Sequence, residues 1–461
     1  MNQHLSPVAM PGETQFARIA EFVLDDQLDI PEHALFHCAT LLIDTLGVAA
    51  GATVLDVGKI ARDFAVEFHA AGSDKNAAFM LFDGRRVSLP GAAWALATQI
   101  DNLDGHDGFN PVKGHIGCAV VPALLAFAEQ HPALTGPQAL RALVMSYEIA
   151  ARAGLSLHAT VSDYHTSGAW NALGVAALGC HLEKTSREVL RHAMGIAEYH
   201  GPRSQMMREI DNPTMLHDGS GMGALIGCSA TLLAIRGFTG APAITIEAGG
   251  VAQHWADLGQ RWTVAENYIK PYPSCRWGHA AIDALRQIMQ THTDVTPETV
   301  ASIEVRTFDE AARLFAGMPT STTEAQYSLN FVLATMLKHG AVAPGHIAGE
   351  GLKDPDIAAL VSKISAISTD KHNARFPDGR WSDIEIVLKD GRRFQSEDTP
   401  ASGGPDAWRL DADIEEKFHI FCEGVLPPKR TKAIWAMRDA LLSSTTKFTD
   451  LAKLVQPGCD G

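Results

Sequence analysis

"SGAWNALGVAALGCHLE", residues 167–183, packs three glycines and four alanines into seventeen positions. Its other apolar members, Trp170, Leu173, Val175, Leu178 and Leu182, leave almost no polar face. Each glycine costs a helix about 1 kcal/mol relative to alanine. That cost is reasonable only where helix backbones must approach closely, in the middle of a bundle. "GSGMGALIGCSATLLAIRG", residues 219–237, has the same texture. Two such segments predict a buried helical body.

Helical spacing extends upstream of these segments. "ETQFARIAEFVLDD" puts Phe16, Ile19, Ala20 and Val23 on one face, and "EHALFHCATLLIDTLGVAAGA" does so with Leu35, Cys38, Leu42 and Leu46. Residues 1–12 read as a loose tail. "FMLFDGRRVSLP" reads as a short hairpin turned at Asp83-Gly84. Near 266 the texture changes. "VASIEVRTF" alternates, with Ile303 and Val305 on one face, and "WSDIEIVLKDGRRFQSE" is a hairpin with an Asp390-Gly391 turn. "YSLNFVLATMLKHG" and "PDIAALVSKISAIS" between them read as helices, and "ASGGPDAWRL" reads as loop. The predicted fold is mainly α with α+β: a helical domain over 1–265, a smaller α+β domain over 266–400, and a segment 401–461 returning to the helical domain. The last assignment rests on "IWAMRDALLS" and "FTDLAKLVQ", helices with no strands to cover.

The 461-residue chain carries a net charge of −15, which disfavours a nucleic-acid partner. An anionic substrate would need a local basic pocket. Seven scattered cysteines without a C-x-x-C pair suit reduced thiols and a cytoplasmic setting. The N-terminal residues lack signal-peptide features, and no run of about 18 apolar residues predicts a membrane span.

Polar loops interrupt the apolar helices. "DNLDGHDGFNPVKGH", residues 101–115, lies between two apolar segments, with a helix expected to begin near Pro122. Its glycines allow Asp101, Asp104, His106, Lys113 and His115 to converge; the alternative is a solvated loop. His106, Asp107 and His115 lack a recognised metal-ligand spacing, so no metal is expected. In "SDYHTSGAWN", His165 precedes the small-residue helix, as a proton carrier or simply a cap. In "YIKPYPSCRWGHAAIDALRQI", prolines stiffen a run holding Lys270, Tyr272, Arg276 and His279. Tyr147 sits on a helix beside Glu148 and Arg152, where a tyrosine is commonly core. "QMMREIDNPTMLHDGSG" adds Arg208, Asp211, His217 and Asp218 ahead of the second small-residue helix. Polar loops before buried helices, converging on one cavity, would bind a small anion. With no nucleotide fingerprint or nucleophile elbow, the chemistry left is proton transfer by His, Lys, Tyr and Asp without a cofactor.

The ordered markers "LLIDTLGVAAGA", "KGHIGCAVVPALLAFAE", "SYEIAARAG", "YHTSGAWNALGVAA", "IKPYPSCRWGHAAIDAL" and "QYSLNFVLATMLKHG" make nearly the whole chain resemble the MmgE/PrpD family. The resemblance implies an all-helical domain, an α+β lid with chorismate mutase-like topology, no metal or organic cofactor, and homodimers. It maps family site positions onto Asp101, His115, His165 and Lys270. It also implies departures: "NLDGHDG" replaces a "DDT" element, Thr214 stands at an expected lysine, and Phe331 at an expected tyrosine. On those departures the chain looks most like the iminodisuccinate epimerase branch. That implies inversion of a carbon alpha to a carboxylate, with Tyr147, His165, Lys270 and His115 as proton carriers. Asp101, His106, Lys113, Tyr272 and Arg276 would bind a di- or tricarboxylate. A lyase of the same family, dehydrating a 2-methylcitrate-like acid or decarboxylating cis-aconitate, and a non-catalytic dicarboxylate-binding protein are the alternatives.

Overall fold

The computed structural model describes residues 12–405 and 407–457. The expected tail, apart from Gly12, and Cys459 lie outside the described residues. Helix Gly168–Leu182 is the hub of the body. It packs between Gly136–His158 and Ser220–Ile235, and Leu89–Asp101 and Gly117–Ala128 complete the surrounding layer. Its small residues explain the close packing. A methyl group on Gly174 would stand 2.7 Å from the Ala150 Cβ and 2.8 Å from the Ser146 carbonyl oxygen. One on Gly227 would stand 2.5 Å from the Val175 Cβ. Gly174→Ala is therefore expected to lower stability by about 1–3 kcal/mol, although alanine is the better helix former. A urea midpoint at or above wild type would show that the helices are not in hard contact there.

The 117–128 helix begins five residues before the expected Pro122. Its first turn is set by tertiary contact: Asp107 Oδ2 accepts the Gly117 N–H at 3.3 Å, and every residue of the helix is buried. Pro122 thus lies inside the helix and gives up one backbone bond. Residues Glu32–Val54 are apolar and long enough to cross a membrane, yet 83% of their most apolar window is buried in this fold. The described cysteines are free and buried.

Strands β1 (Ala77–Phe79) and β2 (Arg86–Ser88) form the hairpin turned at Asp83-Gly84, with Gly84 at φ +83°. The larger sheet comprises β3 (Val300–Thr307), β4 (Ile364–Ser368), β5 (Trp381–Leu388), β6 (Arg393–Gln395) and β7 (Thr399–Pro400). Its order is β4-β3-β5-β6, with β7 also on β5. β3 pairs β4 in parallel and β5 antiparallel. Strand β4 corrects the sequence reading, which extended a helix through "KISAIS". That helix stops at Val361, and Ile364–Ser368 pairs with Ile303–Thr307 instead. Edge-strand hydrogen bonding outweighs the helical spacing there. Helices His279–Thr291 and Leu329–His339 pack together, the first also covering β5.

Helices Asp411–Cys422 and Pro428–Ala440 pack on Glu32–Gly51, at the other end of the chain. The first is absent from the sequence reading. Its acidic start and single apolar cluster, "FHIF", give little helical periodicity.

Candidate active site

Three loops of the body and one edge of the sheet-bearing part enclose a chamber. Asp104, Lys113 and His115 come from the 101–115 loop, and Met206, Glu209, Ile210 and Asp218 from the segment before helix Ser220–Ile235, which includes the short helix Met207–Asp211. Tyr268, Lys270, Cys275, Arg276 and Trp277 supply a third wall, while Tyr327 and Arg380 close it. Asp104, Lys113 and His217 adopt left-handed backbone, at φ 54°, 52° and 43°. Such conformations are costly for non-glycine residues and cluster at functional sites. The chamber is closed down to about 50 Å³. Small-molecule pockets usually span about 300–1,000 Å³, so this one is small beside them.

Lys270 is the central cation. Its ammonium donates to the Asp104 carbonyl at 3.2 Å and to the Asp104 carboxylate, both residues being buried. Burial alone would drive off the proton, but the Asp104 carboxylate more than compensates and holds the Lys270 pKa above its usual value. Lys270 is thus an acid at neutral pH. His115 has the opposite character. Burial, reinforced by Lys270, pushes it well below the usual imidazole range. Its Nδ1 lies 2.7 Å from the Asp107 carbonyl oxygen. That contact assigns the proton to Nδ1 and leaves Nε2 with a free lone pair. The chamber therefore holds a neutral imidazole and a protonated amine. Around them Lys113, Arg276 and Arg380 add positive charge, Lys113 with its Nζ 3.7 Å above the Tyr164 ring, Arg276 donating to the Ala401 carbonyl at 2.9 Å and Arg380 to the Pro377 carbonyl at 2.9 Å.

The structure thus brings Lys113, His115, Lys270 and Arg276 together, keeps His106 directly against His115, and leaves Tyr147, His165, Tyr272 and Asp101 off the chamber's lining. The Tyr147 hydroxyl lies behind the loop, beside the Asp107 carboxylate and Gly117. Burial and that carboxylate push its pKa well above the usual range. His165 pairs by its backbone with Gln205, and its ring stands 3.9 Å from Asp163. The 164–167 loop reaches the chamber through Ser167 instead, whose Oγ accepts the His115 N–H at 2.8 Å and donates to Asp218. The Tyr272 hydroxyl donates to Asp283 at 2.7 Å and borders a different cavity. Pro271 and Pro273 flank it, and its hydroxyl is held by Asp283 while Lys270 bonds Asp104. Asp101 Oδ2 accepts the Ser220 N–H at 3.1 Å and anchors a helix start. His106 supports His115 edge-on, ring centres 4.5 Å apart.

Glu209, Tyr268, Tyr327 and Arg380 were missed. Tyr327 lay inside a quoted marker, and Glu209 beside Arg208; Arg380, in a loop preceding β5, carried no local signal. Ligand atoms of Asp104, His106 and His115 lie within 4.8 Å of one another, close enough for a metal ion. The positive charge facing Asp104 is already supplied by Lys270.

The N-terminal domain profile of MmgE/PrpD matches residues 17–261, and the C-terminal domain profile matches residues 272–442. The chain belongs to the MmgE/PrpD family. No curated protein matches it. MmgE/PrpD proteins are enzymes of small carboxylates, which accords with an enclosed chamber rich in cations. Lys270 falls between the two MmgE/PrpD profiles, and the C-terminal one runs on through the 411–422 and 428–440 helices that pack on the body.

The site's electrostatics leave a mark on stability. Burial pushes Asp107, Asp218 and the nearby core residue Glu148 up to about 7 each. An acid with a raised folded pKa holds a proton that the unfolded chain has lost, so stability falls as pH rises through the folded value. His106, His115 and His217 act oppositely, because their folded pKa values are lowered. Their contribution is complete once pH passes the ordinary imidazole value of about 6.5. Only the acids remain above it, so Tm is expected to fall between about pH 6.5 and about pH 8. A Tm rising across that interval would mean these acids are ionised in the folded protein.

Proposed function

We propose that the protein is a cofactor-independent epimerase that inverts a carbon alpha to a carboxylate in an amino-dicarboxylic acid, as an iminodisuccinate epimerase does. The observation that carries this reading is the opposed protonation of His115 and Lys270 in one chamber. Inversion needs a base on one face of the carbon and an acid on the other. His115 Nε2 takes the α-proton. The electron pair left on carbon delocalises into the adjacent carboxylate, whose added charge faces Lys113, Arg276 and Arg380. The Lys270 ammonium then gives its proton to the opposite face. The reverse reaction exchanges the two roles, so Lys270, relieved of its proton, becomes the base. After product release the proton on His115 passes to solvent and Lys270 takes one back from solvent, its charged form favoured by the Asp104 carboxylate. Tyr147 and His165 take no direct part in this scheme.

One observation favours a lyase as the second reading. Glu209 and Asp218 line the chamber, and burial holds Glu209 well above the usual carboxylate range and Asp218 at about 7. A protonated carboxyl group there could donate to a departing hydroxyl, as dehydration of a 2-methylcitrate-like acid requires.

A panel of di- and tricarboxylates, iminodisuccinate included, incubated in deuterium oxide and followed by NMR separates these readings. The epimerase predicts deuterium at the inverted carbon with every carbon retained. A new conjugated alkene absorbing in the ultraviolet, or released carbon dioxide, would replace it with the lyase. Saturable binding without exchange or product would leave only a dicarboxylate-binding protein.

A further inference from the structure

Gly105 lies between the two residues that back the chamber's proton carriers, Asp104 against Lys270 and His106 against His115. Its carbonyl oxygen does not face either of them. It accepts a hydrogen bond at 2.7 Å from the ammonium of Lys417, in helix Asp411–Cys422. The same ammonium donates to both carboxylate oxygens of Asp44, at 2.8 and 2.7 Å, in helix Glu32–Gly51. All three ammonium hydrogens are thereby used. The pair is buried, with side-chain exposures of 4% and 1%. One turn further along the helix, Phe421 presses on the same glycine, and a methyl group on Gly105 would stand 2.6 Å from its ring.

A buried lysine–carboxylate pair adds little to stability over well-packed apolar side chains, because both charges lose their hydration. The third hydrogen bond gives this pair another use. We propose that Lys417 is a positioning residue for the 104–107 loop, using Asp44 as its counter-charge and the Gly105 carbonyl as its point of attachment. The loop then presents Asp104 to Lys270 and His106 to His115 at fixed distances. Its catalytic part rests on the proton-transfer reading above; its structural part does not.

Lys417→Met alone would strand the Asp44 charge and risk unfolding, so the test uses the neutral pair Asp44→Asn with Lys417→Met in the full chain. Tm is expected to remain near wild type. Deuteration of iminodisuccinate is expected to lose about 100-fold in kcat, because a catalytic group misplaced by about 1 Å costs that much, while KM stays the same. Wild-type kcat in a folded double variant would overturn the proposal. A second measurement needs neither variant nor substrate. In native-state hydrogen exchange of the wild type under rising urea, amides of residues 104–109 are expected to open together with those of helix 411–422. A loop that exchanges while that helix stays protected would overturn the proposal whether or not iminodisuccinate turns over. If the wild type is inactive on iminodisuccinate while loop and helix open together, the epimerase reading fails and the anchoring stands.

Discussion

Lys270→Met is expected to slow inversion of the α-carbon by about 10²–10⁴-fold, the usual share of a positioned proton carrier. The reasoning starts from Asp104. That carboxylate keeps Lys270 charged against the pull of burial, so the wild-type side chain is an acid in the forward reaction and a base only after it has delivered its proton. Methionine retains the length and removes both the proton and the charge. It also leaves Asp104 buried without its cation, which by itself costs stability. The companion variant Asp104→Asn with Lys270→Met removes that complication: it is expected to recover Tm and remain equally slow. Inversion at the wild-type rate in either variant would take Lys270 out of the reaction. Recovery of rate alongside Tm in the double variant would assign Lys270 a structural duty only.

Arg152→Met is expected to cost about 3–5 kcal/mol, the range for removing one partner of a buried ion pair. Arg152 and Glu148 are both buried, 3.3 Å apart on the 136–158 helix. The guanidinium also donates at 2.9 Å to the carbonyls of His254 and Arg261, and Glu148 accepts the Val264 N–H at 2.9 Å. Together they stitch the segment leading to Lys270 onto the core. Glu148 sits at about 7 even with its partner present. Without Arg152 it can escape part of the penalty by taking a proton, so the loss should be smaller at about pH 6 than at about pH 8. Urea midpoints at the two pH values check both points. A loss below about 1 kcal/mol, the range of an exposed pair, would show that the segment is held by other contacts.

The fold was legible wherever residue type and local geometry point the same way. Gly174 and Gly227 announce helix contact because no larger residue fits, and the Asp390-Gly391 turn announces its hairpin because Gly391 needs a φ of +89°. Strand β4 was not legible, because "ISAIS" becomes a strand only beside β3, some sixty residues earlier. The site was legible in its loops and less so in its members. Charge density between apolar segments marked the 101–115 and 268–277 stretches, and Lys113, His115, Lys270 and Arg276 do share the chamber. Spacing along a chain says nothing of which way a side chain turns. Tyr272 therefore looked equivalent to Lys270 although it bonds Asp283 instead. Ser167 stood next to the more conspicuous His165 and has the contact to His115. Arg380 reaches the chamber only through the folding of a separate part of the molecule.

The late return of the chain also bears on how the protein is made. Asp44 and Lys417 are 373 positions apart, so helix Glu32–Gly51 receives this counter-charge only after residue 417 has been synthesised and has left the ribosome. Closing so long a loop is entropically slow to reward. Until then Asp44 faces an unfinished core, and a nascent chain stalled before residue 411 would expose the apolar flank of Glu32–Gly51 to chaperones and proteases.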